Sequence, residues 1–224
     1  MFQKKIWSDF SWVLFFILLF ILFKLCFFGL YLVPSPSMTP NLLPGDRVFS
    51  NKLAYGFTLP FFTNPLFHWS TPKRGDIVVF SFDGQTDLYI KRVIGLPGDF
   101  ITFQNGQVFV EKNPLSLTKI KDVQEQNELV TLFKEESKIL LPHSHNIYLS
   151  KNPSWTFFES RRYLVPPHKF FVLGDNRDNS SDSRIYGFVD KNKIKGRVSF
   201  VLFSTQGESL WPNFRWDRNF KLVN

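Results

Sequence analysis

Ile101-Thr-Phe-Gln-Asn-Gly-Gln-Val-Phe-Val110 is the stretch that decides the fold. Apolar residues alternate on both sides of Asn105-Gly106, a pair that tolerates the positive φ angles of a type I′ turn. A tight β-hairpin is predicted here. Working back along the chain, Gly95-Leu-Pro-Gly-Asp99 reads as a turn and Leu88–Ile94 as a strand. Alternation puts Leu88, Ile90, Arg92 and Ile94 on one face of that strand and Tyr89, Lys91 and Val93 on the other. Lys91 therefore shares its face with apolar neighbours and is predicted to be partly buried, which lowers a lysine pKa. Ile77–Phe80 is a buried strand entered through the turn Lys73-Arg-Gly-Asp76. Working forward, the segment from Glu111 to about Arg162 is more polar and of mixed charge. It reads as an insertion forming a small β subdomain. Leu164–Leu173 returns to strand pattern, and Ile194–Phe203 reads as a strand pair.

The N-terminal part has another character. Trp12–Val33 is apolar apart from Lys24 and small breaks at Cys26, Gly29 and Tyr31. A helix needs about 20 such residues to cross a bilayer. Lys24 costs about 2.5–3.5 kcal/mol at a membrane centre. The many Leu, Ile and Phe, each worth about −0.3 to −0.6 kcal/mol, outweigh it. The run is too long for a cleaved signal peptide and no Ala-x-Ala site follows it. A single retained span is expected, with Lys4 and Lys5 holding the N-terminus in the cytoplasm. The expected organisation is an anchor over 1–33, a core in two parts over 34–110 and 164–224, and the insertion over 111–163. The aromatic stretch Tyr55–Trp69 has two readings, core packing or a loop dipping into lipid headgroups. Net charge +8 and pI 9.6 permit nucleic acid or anionic lipid as partner. No zinc-finger spacing or RNA-binding signature is present and the basic residues are scattered, so nucleic acid is not expected. The single cysteine, Cys26, excludes an internal disulfide.

Two further stretches carry the chemistry. Val33–Val48, VPSPSMTPNLLPGDRV, sets Ser37 between Pro36 and Pro40 on a stiff, non-helical backbone. Stiffness suits a nucleophile, because small errors of attack geometry cost large rate factors. Read alone, the stretch is sooner a proline-rich linker, since Ser-Pro clusters are common there. Gly174–Arg184, GDNRDNSSDSR, packs three Asp, two Arg, two Asn and three Ser into eleven residues. A calcium loop of the EF-hand kind needs Glu at its twelfth position, where this chain has Tyr186. The loop is read instead as a polar network in which aspartates pair with Arg177 and Arg184 and stay off Lys91. His143 and His145 lack a third ligand of suitable spacing, so no metal is expected. A serine needs a base, and no histidine lies in a stretch built for catalysis. A Ser–Lys pair fits better. Lys91 would then need its pKa brought from ~10.4 to about 7–8, roughly 3–5 kcal/mol of disfavoured charge.

Ser37-Met-Thr-Pro40, Arg74–Phe80, Tyr89–Asp99 and Gly174–Arg184 together resemble the bacterial type I signal peptidases, in the family's order and over most of the chain after the anchor. The resemblance implies an all-β catalytic core of antiparallel sheets that cleaves signal peptides from exported preproteins after Ala-x-Ala-like sites. It implies Ser37 as nucleophile and Lys91 as general base. Ser180 would orient Lys91, and Ser35 would donate to the oxyanion beside the backbone N–H of Ser37. Asp182 and Arg184 would form a supporting ion pair, with Asp175 and Arg177 in the same network. Val33, Pro34, Met38, Leu42, Tyr89 and Ile90 would line small apolar pockets. Pro36 stands where many relatives have Gly, and Asn41 where Thr is usual. No cofactor is implied. The expected partners are preproteins and the lipid bilayer. The expected location is the bacterial cytoplasmic membrane, with the catalytic part on its outer side. A peptidase for one narrow substrate, such as a pilus or conjugation precursor, and a silent membrane-tethered scaffold are the other readings. Retention of both Ser37 and Lys91 speaks against the scaffold.

Overall fold

The computed structural model describes residues 2–59, 62, 65–104, 106–125, 128–137, 140–150, 158, 161–206 and 213–223. It begins with helix α1 (Phe2–Phe27) and continues into β1 (Phe28–Leu32), β2 (Asp46–Asn51), β3 (Gly56–Phe57), β4 (Phe67–His68), β5 (Ile77–Phe80) and β6 (Tyr89–Gly95). There follow β7 (Phe100–Gln104), β8 (Gln107–Val110), β9 (Asn113–Pro114), β10 (Ser116–Glu125), β11 (Glu128–Glu136), β12 (His145–Ser150), β13 (Arg162–Leu164) and β14 (Lys169–Leu173). The chain closes with the short helix α2 (Ser183–Tyr186), β15 (Val189–Asp190), β16 (Ile194–Gln206), β17 (Asn213–Phe214) and β18 (Lys221–Leu222).

The fold is mainly antiparallel β. The largest sheet runs β1-β2-β16-β5-β6-β14-β15, with β17 and β18 also paired to β16. A second sheet, β13-β7-β8-β9, contains the predicted hairpin. Its register, Phe103↔Val108 and Gln104↔Gln107, leaves a two-residue turn. Gly106 has φ +74°, while Asn105 lies outside the described residues. The third sheet, β10-β11-β12, is a meander within the segment read as an insertion. That segment leaves the second sheet near β9 and returns to it at β13, which pairs with β7.

Two expectations change. The apolar run Trp12–Val33 is not one helix. α1 stops at Phe27, and Phe28–Leu32 pairs along β2 from Phe28↔Asn51 to Leu32↔Arg47. Gly29 is a poor helix former, and the ladder on β2 supplies partners for the backbone polar groups that leave the helix. Lys52 Nζ donates to Leu25 O, 2.9 Å, and so satisfies one carbonyl of the last helical turn. Among the described residues no helix is long and apolar enough to cross a membrane. Likewise Ile194–Phe203 is not a strand pair. It belongs to the single strand β16, thirteen residues long, whose register shifts within its ladder with β5 and twice within its ladder with β2.

Three apolar clusters hold the sheets together. One packs Val33, Met38, Leu42 and Val48 against Ile77, Val79, Val198 and Val201, directly beneath the Ser37 turn. A second joins Phe80, Phe82 and Val93 to Phe170 and Val172. A third joins Ile94 and Phe171 to the hairpin residues Ile101, Phe103, Val108 and Val110. β6 thus contributes to all three, with Ile90 on the first, Val93 in the second and Ile94 in the third.

The turn ahead of β2 depends on Gly45. Its φ is +89°, and a Cβ placed there would lie 2.0 Å from Thr205 O. Gly84 also has positive φ (+76°) but faces nothing within 4 Å. Gly45→Ala is therefore expected to cost clearly more than the ~1 kcal/mol of backbone strain expected for Gly84→Ala. Thermal unfolding of the two variants measures this. Equal losses would contradict the packing role given to Gly45.

Candidate active site

Ser37 is the middle residue of a 3-10 turn, Pro36–Met38. Pro36 occupies the first position of that turn, where its missing N–H costs nothing. Thr39 N and Thr39 Oγ1 both donate to Pro36 O, at 3.0 and 2.7 Å. Asn176 Nδ2 donates to the same carbonyl at 3.3 Å, and Asn176 N donates to Ser37 O at 3.1 Å. The turn is therefore fixed from its own C-terminal side and from the polar loop. Gly174 makes the second attachment possible, because a Cβ there would fall 2.5 Å from Ser37 O and 2.2 Å from Ser180 Oγ.

Lys91 comes from β6 and is 4% exposed. Its Nζ donates to Ser37 Oγ at 2.5 Å. Ser35 Oγ lies 3.1 Å from the same hydroxyl. Burial is the chief cause of a Lys91 pKa lowered from 10.5 to about 8. Asp182 and Asp175 oppose that shift, and Arg184 adds to it. The sequence reading placed the loop aspartates away from Lys91, and their net effect is the smaller one. Between about 8 and 10.5 the unfolded chain holds a proton on Lys91 that the folded chain has lost. Stability contributed by this group therefore rises with pH through that window, and below it the buried ammonium is a cost.

The polar network differs in its pairings from the sequence reading. Asp182 does pair with Arg184, through Nε–Oδ1 and Nη2–Oδ2 contacts of 2.8 Å each. Asp182 also accepts from Gly174 N at 3.0 Å and from Ser180 Oγ at 2.8 Å. Ser180, expected on Lys91, thus points its hydroxyl at Asp182. Asp175 does not pair with Arg177. It takes both arms of Arg92 at 2.9 Å, and Asn41 Nδ2 at 2.7 Å. Arg177 instead forms a two-armed pair with Glu135 of β11, with Nη1–Oε1 at 2.6 Å and Nη2 on Oε2. His145 Nε2 lies 3.0 Å from Glu135 Oε2. Burial and Arg92 keep the His145 pKa low. Although burial pushes the Asp175 and Glu135 carboxyls up, Arg92 with His145 and Asn41 at Asp175, and Arg177 with His145 at Glu135, together hold both below their ordinary values.

A cleft of about 550 Å³ opens beside Ser37 and Lys91. The expected pocket residues Val33, Pro34, Met38, Tyr89 and Ile90 line it. Leu42 does not. It is fully buried in the cluster behind Met38. Leu30, Tyr31, Leu32, Val79, Asp87 and Leu88 line the cleft and were not anticipated. Part of this could be read from sequence only once Phe28–Leu32 is known to be an edge strand, because a membrane helix presents no cleft wall.

The signal peptidase, peptidase S26 family model matches residues 6–203 of the chain. Signal peptidase I of Buchnera aphidicola subsp. Baizongia pistaciae is 32% identical over 229 residues, covering 83% of this chain and 74% of its own length. Signal peptidase I of Rickettsia rickettsii is 31% identical over 240 residues, covering 99% of this chain and 85% of its own. A crystal structure of a signal peptidase I from Enterococcus faecalis is 26% identical, covering 57% of this chain and 97% of its own, with a TM-score of 0.35.

The lowered Lys91 pKa has a direct spectroscopic consequence. In a sample labelled at the lysine side chains, one amine is expected to titrate near pH 8 and to vanish from the spectrum of Lys91→Met. A Lys91 signal that titrates with the surface lysines would contradict the burial argument.

Proposed function

This chain belongs to the signal peptidase family, peptidase S26, and from that premise we propose that it removes signal peptides from exported preproteins by acyl transfer through Ser37 and Lys91. One observation carries the reading, the 2.5 Å contact between Lys91 Nζ and Ser37 Oγ inside a buried setting. A neutral amine at that distance accepts the hydroxyl proton as Oγ attacks the scissile carbonyl carbon. Negative charge then develops on the carbonyl oxygen. Ser35 Oγ, beside Ser37 Oγ, and the Ser37 backbone N–H are the donors assigned to it. As the tetrahedral intermediate collapses, the C–N bond breaks and the Lys91 ammonium returns its proton to the leaving amine. Lys91, neutral again, deprotonates a water that attacks the acyl ester, and Ser37 recovers its proton on release.

Ser180 enters this scheme through Asp182 rather than by touching the amine. Its hydroxyl satisfies part of the Asp182 carboxylate, which leaves that carboxylate engaged with Arg184 and Gly174 N and less available to Lys91. The cleft walls Val33, Pro34, Met38 and Ile90 are apolar and close to Ser37. They suit small side chains of the Ala-x-Ala kind.

Membrane attachment is part of the same reading. The described side chains from Trp12 to Phe23 are all apolar and all exposed on α1. Exposed apolar surface on that scale is matched by lipid. The proposed place of work is the outer face of the bacterial cytoplasmic membrane, to which the exposed apolar surface of α1 attaches the chain. Ser37, a few residues past β1, then works at the membrane surface, where a signal peptide emerges.

Cleavage of a preprotein bearing Ala at positions −1 and −3 by the detergent-solubilised full chain tests the proposal. Ser37→Ala and Lys91→Ala are each expected to lower kcat by about 10⁴ or more while the far-ultraviolet spectrum stays unchanged. Undiminished cleavage by Lys91→Ala in a folded protein would defeat the dyad.

A further inference from the structure

The geometry points to Glu135, on a strand of the inserted meander, as the positioning residue that holds the nucleophile turn in register, acting through Arg177 and the 174–177 loop. This inference rests on Ser37 being the nucleophile. Glu135 is 0% exposed and Arg177 is 1% exposed. A carboxylate and a guanidinium so deeply buried persist only as a closely matched pair. The pair lies at the junction of two parts of the chain distant in sequence. Glu135 faces His145 across the β11–β12 ladder, whereas Arg177 belongs to the polar loop.

From that pair a short chain of bonds runs to Ser37. Arg177 Nε donates to Gly174 O at 3.1 Å, which closes the loop on itself. Arg177 N donates to Tyr148 O at 3.1 Å, and Tyr148 N donates to Asp175 O at 2.9 Å. These two bonds lay the loop along β12, with Tyr148 bridged in parallel to Asn176. Asn176, between the two anchored residues, then donates its N–H to Ser37 O and its side-chain amide to Pro36 O. A second link runs the other way round. Asn41 Nδ2 bridges Asn146 O of β12 and Asp175 Oδ2, each at 2.7 Å. The inserted meander therefore reaches the nucleophile turn in two ways, through the loop to Pro36 O and Ser37 O, and directly from Asn146 O to Asn41. Loss of the Glu135 carboxylate removes the two acceptors that hold the Arg177 guanidinium, and a shift of Arg177 passes to the loop through its Nε bond to Gly174 O.

The test uses the full chain in detergent. Glu135→Gln is isosteric; it removes the charge and turns one of the two oxygens that accept from Arg177 into a donor. We compare it with Val189→Ala, a buried core change in the cluster around Phe80 and Phe170, and with Val108→Ala in the hairpin, at a temperature where all are folded. Glu135→Gln is expected to lower kcat by about 10–100-fold with KM within about twofold, and to speed amide exchange at Asn176. Val189→Ala and Val108→Ala are expected to lower Tm without either effect. Should Glu135→Gln fail to fold, Arg177→Lys carries the test. It keeps the buried charges balanced but gives up the Nε contact to Gly174 O, and the same fall in kcat is expected. A folded Glu135→Gln or Arg177→Lys with kcat within about twofold of the parent and unchanged Asn176 exchange overturns the inference, as does an equal loss in Val189→Ala or Val108→Ala. Amide exchange reads the positioning even if the parent chain cleaves no preprotein, so failure of the peptidase reading remains distinguishable from failure of this one.

Discussion

A nearly fully buried amine 2.5 Å from a hydroxyl is the constraint the rest of this structure meets. A lysine in such a place is held against its own hydration. Moving it out of water disfavours the ammonium, and each nearby carboxylate pulls the other way. The fold settles the contest by giving the carboxylates other obligations. Asp175 is taken by both arms of Arg92 and by Asn41. Asp182 is taken by Arg184, Ser180 and Gly174 N. Their charges still reach Lys91, but burial dominates.

The serine side of the pair is fixed by a different set of forces. The Ser37 turn sits on the cluster of Met38, Leu42, Val48 and Val79. Beyond it, Asp46 accepts from Leu43 N at 2.8 Å and binds Arg218 through Nε at 3.0 Å. Arg218 also reaches Asn41 O at 3.0 Å, and Arg215 reaches Pro44 O. The C-terminal segment thus clamps the turn that follows the serine, while the polar loop grips its carbonyl. A 3-10 turn of three residues has little stability of its own, so its geometry is imposed by these neighbours.

Much of this was legible in the sequence because it is local. Alternation along Leu88–Ile94 placed Lys91 among Tyr89 and Val93, and the asparagine–glycine pair fixed the hairpin register. The ion pair of Asp182 with Arg184 is also local, two residues apart. What escaped was tertiary. Arg92 stood between Ile90 and Ile94 on an apolar face, a pattern that demands a buried acid. The strand pattern does not say that the acid is Asp175 and not a partner further off. Glu135 lies in a strand with two other glutamates, Glu128 and Glu136, and only the packing of the meander against the loop singles it out. Asn41 proves to satisfy Asp175. The end of α1 was missed because hydropathy alone does not separate a helical residue from an edge strand, whereas pairing on β2 does.

These lines meet in one property, the acidity of Lys91 in the working protein. The pH dependence of preprotein cleavage under substrate-limited conditions reports it most directly, because kcat/KM follows the free enzyme's base. Cleavage is expected to rise as pH increases through about 8 and then level, as the lysine sheds its proton well before the 10.5 of an ordinary amine. An acid limb near the ordinary lysine value, or a limb that survives unchanged in a still-active Lys91→Met protein, would contradict the account.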